Sequence, residues 1–328
     1  MKAFRCRVCH NALYFENSRC VSCGSRLGYS RAERAIVPVQ DGRYVDSGGD
    51  TWHVCRNLRL SGCTWLTRHE GGQCLSCDLT RTRPSDDDAE GMAAYPPAER
   101  AKRQLVFQLE GLGLPVVPKS VDEDDGLAFD LLSSADENVT IGHANGVITI
   151  DLAESRGSHR ERLREQLGEP YRTMLGHFRH ESGHYFDWQL VRGHQRTVYR
   201  SLFGDESSSY QEALDRHYEH GAPAGWEATH ISAYATMHPF EDFAETWAHY
   251  LHICDTIETA SEYGLTTVGA LGSFSHFGDV VAGIWIPLSV ALNMINRSMG
   301  HDDLYPFVMP APVRDKLDFV ASLVRSSR

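Results

Sequence analysis

The sequence predicts an α+β protein in two parts: small N-terminal cysteine-rich modules, then a larger, mainly helical body with a small sheet. Three observations carry this reading. Eight of the nine cysteines fall before residue 78. A helical pattern in mid-chain contains His180-Glu181-Ser182-Gly183-His184. Strand patterns around 127–132 and 139–152 stand between the cysteines and that helix. A chain of 328 residues is long enough for one large domain plus small modules.

The modules come first. Cys6 and Cys9, then Cys20 and Cys23, form two C-x-x-C knuckles across a short loop. Four thiolates at this spacing make a closed tetrahedral site that suits zinc, with iron in a rubredoxin-like site as the chemical rival. So small a segment buries too little apolar surface to fold without such a staple. Leu13, Tyr14 and Phe15 are the residues available for its core. Cys55 and Cys63, with the pair Cys74 and Cys77, repeat the arrangement less regularly over 44–83. His53 and His69 lie nearby, but four cysteines already complete a tetrahedron. Neither set leaves an open coordination position, so both read as structural zinc sites of zinc-ribbon type.

Close cysteine pairs indicate metal binding in a reducing compartment rather than disulfides. The start, MKAFRCRVCH, carries no basic-then-apolar leader, so the expectation is a cytoplasmic chain. Cys254 stands alone and reads as a small buried hydrophobe. The longest apolar run, Val280 to Ile295, is broken by Gly283, Pro287, Ser289 and Asn293. It reads as a buried helix too short to cross a bilayer, and no membrane partner is expected.

Charge is lopsided. Residues 1–83 carry 13 Lys and Arg against 7 Asp and Glu, a net +6, while the remainder, 19 against 37, is −18. A basic head suits a protein or nucleic-acid contact, or is merely a solvated small domain. The stretch 84–97, PSDDDAEGMAAYPP, has the acidic, Pro-bearing composition of a linker. The expected organisation is a tandem four-cysteine region over 1–83, a linker over 84–97 and the body over 98–328.

The body opens with a helix in which Ala101, Leu105, Leu109 and Leu112 recur at helical intervals, stopped by Gly113 and Pro115. Ala144-Asn145-Gly146 marks a tight hairpin turn between VTIGH and VITIDL. The next helix is expected to start near Pro170. Its His180 and His184, four apart, lie on one face and can hold one metal ion, with Glu181 beside them as a general base. Gly183 within it permits a neighbouring backbone to come close. Asp187 is a candidate acceptor for an imidazole N–H.

A catalytic zinc needs a third protein ligand and one open position. The stretch HISAYATMHPFEDFAETWAHYLHI supplies candidates. Pro239 suits a helix start, and Glu241 and Glu245, four apart, can both face the metal helix. One would ligate zinc and the other would orient an imidazole; helical spacing does not choose between them. Phe243, Trp247 and Leu251 would pack a neighbouring stripe into the core. Tyr234, in the loop before this helix, is placed to donate to an oxyanion. Of the imidazoles nearby (His230, His238, His249 and His252), His238 is the first to examine.

FRCRVC, LYFENSRCVSCG, GCTWL, CLSC, RHESGHYFDW and HPFEDFAETWAHYLH together resemble a bacterial family of zinc-binding metallopeptidases with an N-terminal zinc-ribbon region. The resemblance runs from the start of the chain to about residue 255. It implies a zincin-like metallopeptidase domain holding one catalytic zinc beside two structural ones, and a peptide or protein substrate. The spacing of Tyr234, Glu241 and Glu245 is also similar to zincins of the lethal-factor type. That similarity implies a catalytic tyrosine, zinc ligation by Glu241 and a supporting role for Glu245. The expected chemistry is peptide-bond hydrolysis by a zinc-activated water with Glu181 as base. The alternative is a zinc-ribbon adaptor with a catalytically inactive body. Beyond residue 255, GALGSFSHFGD suggests a turn along the substrate groove, and two further amphipathic or buried helices follow.

Overall fold

The computed structural model describes residues 2–133, 141–155, 173–266 and 275–327. Pro170, Val139, Thr140 and most of GALGSFSHFGD therefore lie outside the described residues. In the cysteine-rich head, β1 (Phe4–Arg5) pairs antiparallel with β2 (Ala12–Leu13), and β3 (Leu27–Ser30) with β4 (Ala35–Pro38). β5 (Arg43–Val45), β6 (Thr51–Val54) and β7 (Leu66–Thr67) form an antiparallel three-stranded sheet interrupted by the one-turn helix α1 (Leu58–Ser61). A second one-turn helix, α2 (Leu75–Asp78), holds Cys77 and leads into β8 (Thr80–Thr82).

Here the head and body interlock. β8 pairs in parallel with β9 (Ala128–Leu132), β9 with β11 (Val147–Asp151), and β11 antiparallel with β10 (Gly142–Ala144). The body's sheet thus takes one edge strand from the head. β10 and β11 are joined by the turn at Asn145 (φ 49°) and Gly146 (φ 78°), the left-handed pair that a two-residue hairpin requires.

The linker composition of 84–97 proves to be a helix start instead. α3 runs from Ala89 to Gly111 with Pro96 and Pro97 inside its early turns. The Asp88 carboxylate accepts from Gly91 N at 2.8 Å, capping it. Acidic residues favour helix N-termini as much as they favour linkers, because the helix dipole attracts them. α3 ends where expected, with Gly113 at φ 77° just beyond.

α4 (Met174–Leu190) begins at an N-cap, Thr173, whose Oγ1 accepts from Gly176 N at 3.0 Å, four residues past the proline expected to mark its start. α5 (His194–Phe203) and α6 (Tyr210–His220) follow, then α7 (Pro239–Glu262). α4 and α7 cross closely. Trp247, wholly buried, stacks on Phe186 at 4.8 Å between centroids, and its indole N–H donates to Ser182 Oγ at 3.0 Å. Phe243 and Leu251 are buried in the same stripe.

α8 (Phe277–Val280), a π-helical turn over 281–285 and α9 (Ile286–Ser298) form one continuous helical stretch. This departs from the short buried helix expected. Val280, Val281 and Trp285 are buried, but Val290, Met294 and Ile295 are 55, 55 and 56% exposed. By length and hydropathy (1.6) Phe277–Ser298 meets the requirement for a membrane span, with a third of it buried. Ser289 is buried and Asn293 holds the Tyr305 backbone through both amide atoms, so the polar side of α9 turns inward and its apolar side outward. α10 (Ala311–Ser326) packs Val313, Leu317 and Val320 inward.

Candidate metal centre and cleft

The two cysteine sets close as expected. All four sulfurs of Cys6, Cys9, Cys20 and Cys23 lie within 4.8 Å of one another, as do those of Cys55, Cys63, Cys74 and Cys77. Sγ–Sγ separations of 3.7 Å (Cys6–Cys23), 3.6 Å (Cys9–Cys20) and 3.5 Å (Cys63–Cys74) approach the edge of about 3.8 Å that a tetrahedron with zinc–sulfur bonds requires. His53 lies in β6, outside both sets, and so does His69.

On α4, His180 and His184 share a face, ring centroids 5.0 Å apart. α7 brings Glu241 opposite them. Its Oε2 is 3.0 Å from His180 Nε2 and 3.6 Å from His184 Nε2, so one carboxylate oxygen faces both ring nitrogens. Glu245, one turn on, meets the other side of His180: Oε1 is 2.7 Å from Nδ1. The two carboxylates thus divide one imidazole between them, Glu241 on the nitrogen turned toward His184 and Glu245 on the one turned away. Gly183 is what lets the helices come this near. A Cβ there would stand 2.8 Å from Ala244 Cα.

Glu245 has a second contact. Its Oε2 accepts from Ser232 Oγ at 2.6 Å, and Ser232 Oγ accepts from Ala235 N at 3.1 Å. The same carboxylate therefore holds both the imidazole and the short 3₁₀ turn Tyr234–Thr236. The Tyr234 ring lies 6.0 Å from that of His180. Burial and the Glu241 charge push the Tyr234 phenol well above its ordinary range, which keeps it a neutral proton donor.

Glu181 is buried, and its Oε1 is 3.1 Å from His177 Nε2. Burial works to raise its pKa, but the His177 contact and the nearby imidazoles hold it below the usual value, so the group is an ionised acceptor. Its Oε2 has no hydrogen-bond partner among the described residues. Glu181 also lies within 4.8 Å of the two histidine donors. Glu241 Oε2 faces both Nε2 atoms as well, so two carboxylates stand at the histidine pair.

Asp187 does not take the role expected of it, and the nearby imidazoles are held by structural partners. His238 is the N-cap of α7, its Nδ1 accepting from Phe240 N at 3.2 Å and its Nε2 lying 3.1 Å from Ser208 Oγ. Asp187 pairs with Arg196 at 3.2 Å instead of with an imidazole, since α5 brings the guanidinium within reach. His230 faces Asp242 at 3.6 Å, His249 bonds the Tyr305 hydroxyl at 2.7 Å and His252 stacks on Tyr305. Two residues at the site escaped sequence reasoning: Ser232, and Tyr210, whose hydroxyl donates to Glu241 Oε1 at 2.9 Å. The only local signal was Ser209 followed by Glu212, the mark of a helix start.

These groups open into a cleft of about 1210 Å³, also lined by His143 and Asn145 of the hairpin, Trp188, Trp226 and Phe307. Its floor brings together two imidazoles and the carboxylates of Glu181, Glu241 and Glu245, donor types that suit zinc.

The fold and this site define a zinc-ribbon protein whose helical body sets two histidines against glutamate carboxylates at the floor of a cleft. Comparison with known proteins places it further. A family described as "Putative zinc-binding metallo-peptidase" matches residues 91–323, and one described as "zinc-ribbon domain" matches residues 3–88. The chain belongs to this zinc-binding metallopeptidase family. It is similar to the uncharacterized protein Rv2568c of Mycobacterium tuberculosis (strain ATCC 25618 / H37Rv) and the uncharacterized protein Mb2598c of Mycobacterium bovis. Each is 49% identical over 332 residues, spanning 99% of this chain and 95% of the relative. No solved structure matches it.

Proposed function

We propose that the protein hydrolyses peptide bonds with one zinc ion held by His180, His184 and Glu241, beside two structural zinc ions in the cysteine sites. The observation that carries this is the buried, ionised and half-partnered Glu181 next to that ligand set. A purely structural metal site has no use for a desolvated carboxylate aimed into a cleft. When bound, zinc supplies Lewis acidity, polarising a carbonyl oxygen and lowering the pKa of water at the open position.

The protein's residues supply the rest. Glu181 Oε2 accepts the proton of the attacking water and returns it to the leaving amine, while His177 holds Oε1 and fixes the carboxylate's orientation. Tyr234, a neutral phenol beside His180, donates to the oxyanion. Glu245 keeps His180 and the Tyr234 turn in register. β10 is an edge strand of its sheet and lines the cleft, so its backbone offers an extended peptide the pairing that a sheet edge provides.

The test is Glu181→Gln. The variant should keep three zinc ions per chain, as His180→Ala should not, and lose peptide hydrolysis by about 100-fold or more. A Glu181→Gln chain as active as the wild type refutes the mechanism.

A further inference from the structure

We infer that Tyr210 is the positioning residue for the third zinc ligand: its hydroxyl holds Oε1 of Glu241 so that Oε2 is the oxygen turned to the two imidazoles. The inference rests on the ligand set proposed above.

Glu241 presents two oxygens with separate partners. Oε2 faces His180 Nε2 and His184 Nε2 at 3.0 and 3.6 Å. Oε1 accepts from Tyr210 at 2.9 Å. A carboxylate left to itself can offer both oxygens to a cation. With two imidazoles already present, a second oxygen would take the place that a catalytic zinc reserves for water or substrate. A hydrogen bond to Oε1 fixes which of the two oxygens faces the imidazoles.

Tyr210 is built to do this. It is the first residue of α6, whose N-cap Ser209 accepts from Glu212 N at 3.3 Å. Its ring packs against that of His238 at 5.3 Å. His238 is itself fixed, capping α7 through Nδ1 and meeting Ser208 Oγ through Nε2. Ser208 and Tyr210 therefore strap the start of α6 to the start of the helix that carries Glu241. The phenol acts from a surface anchored to the same turn as the ligand it holds. Tyr234, the other phenol at the site, has its ring beside His180 and its hydroxyl hydrogen-bonded to that of Tyr210, so it stands behind Tyr210 rather than on Glu241 itself.

The experiment measures the affinity of the weakest of the three zinc ions in the full-length chain by competition with a chromogenic chelator. Wild type, Tyr210→Phe, Tyr210→Ala and Tyr234→Phe are compared. Tyr210→Phe keeps the ring on His238 and removes only the hydroxyl. It should weaken the third zinc by about 10- to 100-fold, the range for losing a group that orients a ligand, and leave the two cysteine-bound ions in place. Tyr210→Ala should lose at least as much, and Tyr234→Phe, which removes only the bond behind the Tyr210 hydroxyl, should weaken the third zinc less than Tyr210→Phe does. If packing alone mattered, Tyr210→Phe would match the wild type and only Tyr210→Ala would weaken. That outcome overturns the inference and leaves the ligand set standing. A wild-type chain that binds two zinc ions and no third overturns both.

Discussion

Gly183→Ala sets two known effects against each other. Alanine improves a helix interior by about 1 kcal/mol relative to glycine. At this position, however, the added Cβ meets Ala244 Cα at 2.8 Å, Trp247 Cβ at 3.2 Å and Ala244 Cβ at 3.3 Å. Carbon atoms rest at about 3.5–4.0 Å, so α4 and α7 must part by roughly 0.7 Å at their crossing. The nearest obstacle is backbone, which cannot swing aside. Trp247 cannot yield cheaply either, being buried, stacked on Phe186 and bonded to Ser182. Overpacking of this kind costs about 1–3 kcal/mol. Because the obstacle is backbone, the cost falls in the upper part of that range, about 2–3 kcal/mol, and the net loss is about 1–2 kcal/mol.

In a body of this size that lowers Tm by roughly 2–8 °C. The same parting separates His180 and His184 on α4 from Glu241 and Glu245 on α7, so zinc at this centre should bind more weakly too. Thermal unfolding followed by circular dichroism, together with chelator competition, reads both effects. A Gly183→Ala chain with equal or higher Tm and undiminished zinc affinity would refute the claim that this glycine sets the spacing of the two helices.

Two further predictions concern buried charge. Lys316 Nζ lies 2.6 Å from Asp242 Oδ2 and donates to Thr229 O at 2.9 Å, tying α10 to α7 and to the cleft wall. Lys316→Ala strands a buried carboxylate and should cost about 3–5 kcal/mol, whereas Lys316→Met with Asp242→Asn should cost much less. Urea unfolding distinguishes them, and equal losses would refute the ion-pair account. Arg103, buried in α3, pairs with Glu16 of the first cysteine module and donates to Ser61 O of the second at 3.2 Å. Arg103→Ala should likewise cost about 3–5 kcal/mol and loosen both modules, seen as faster loss of the cysteine-bound zinc to chelator. Unchanged zinc release would show that Arg103 does not hold them.

What could be read from the sequence was whatever repeats over a helical turn or a knuckle. His180 and His184, Glu241 and Glu245, and the paired cysteines each declare a geometry within five residues. So did the Asn145-Gly146 turn, because its backbone conformation suits few other residue pairs. The misreadings share a cause. The acidic run before α3 satisfied two rules at once, and only the partners of α3 decide between linker and helix start. The apolar run ending at Ile295 carries its polar residues, Ser289 and Asn293, on the side that faces the protein, the reverse of the usual rule. Tyr210 reaches Glu241 across 31 positions, and no local period encodes such a contact.

The cysteine modules bear on the metal centre through α3. Arg103 and Phe107, four apart, form one face of that helix. Arg103 takes Glu16, and Phe107 packs on Phe15 at 4.9 Å and Tyr29 at 5.6 Å. The other face is turned to the metal helices. Gln108 Nε2 donates to Leu251 O of α7 at 2.5 Å, and its Oε1 accepts from Arg179 of α4 at 3.1 Å, the residue before His180. One side chain thus bridges the two helices whose separation sets the ligand geometry, and it stands on a helix whose far side is sealed by the modules. A head attached in this way is a brace. Stripping metal from the cysteines should loosen Phe15 and Glu16, and with them the contacts that Phe107 and Arg103 make on that face. The strain then falls on the helix that positions Gln108. This coupling gives a physical reason for the cysteine modules and the histidine centre to share one chain.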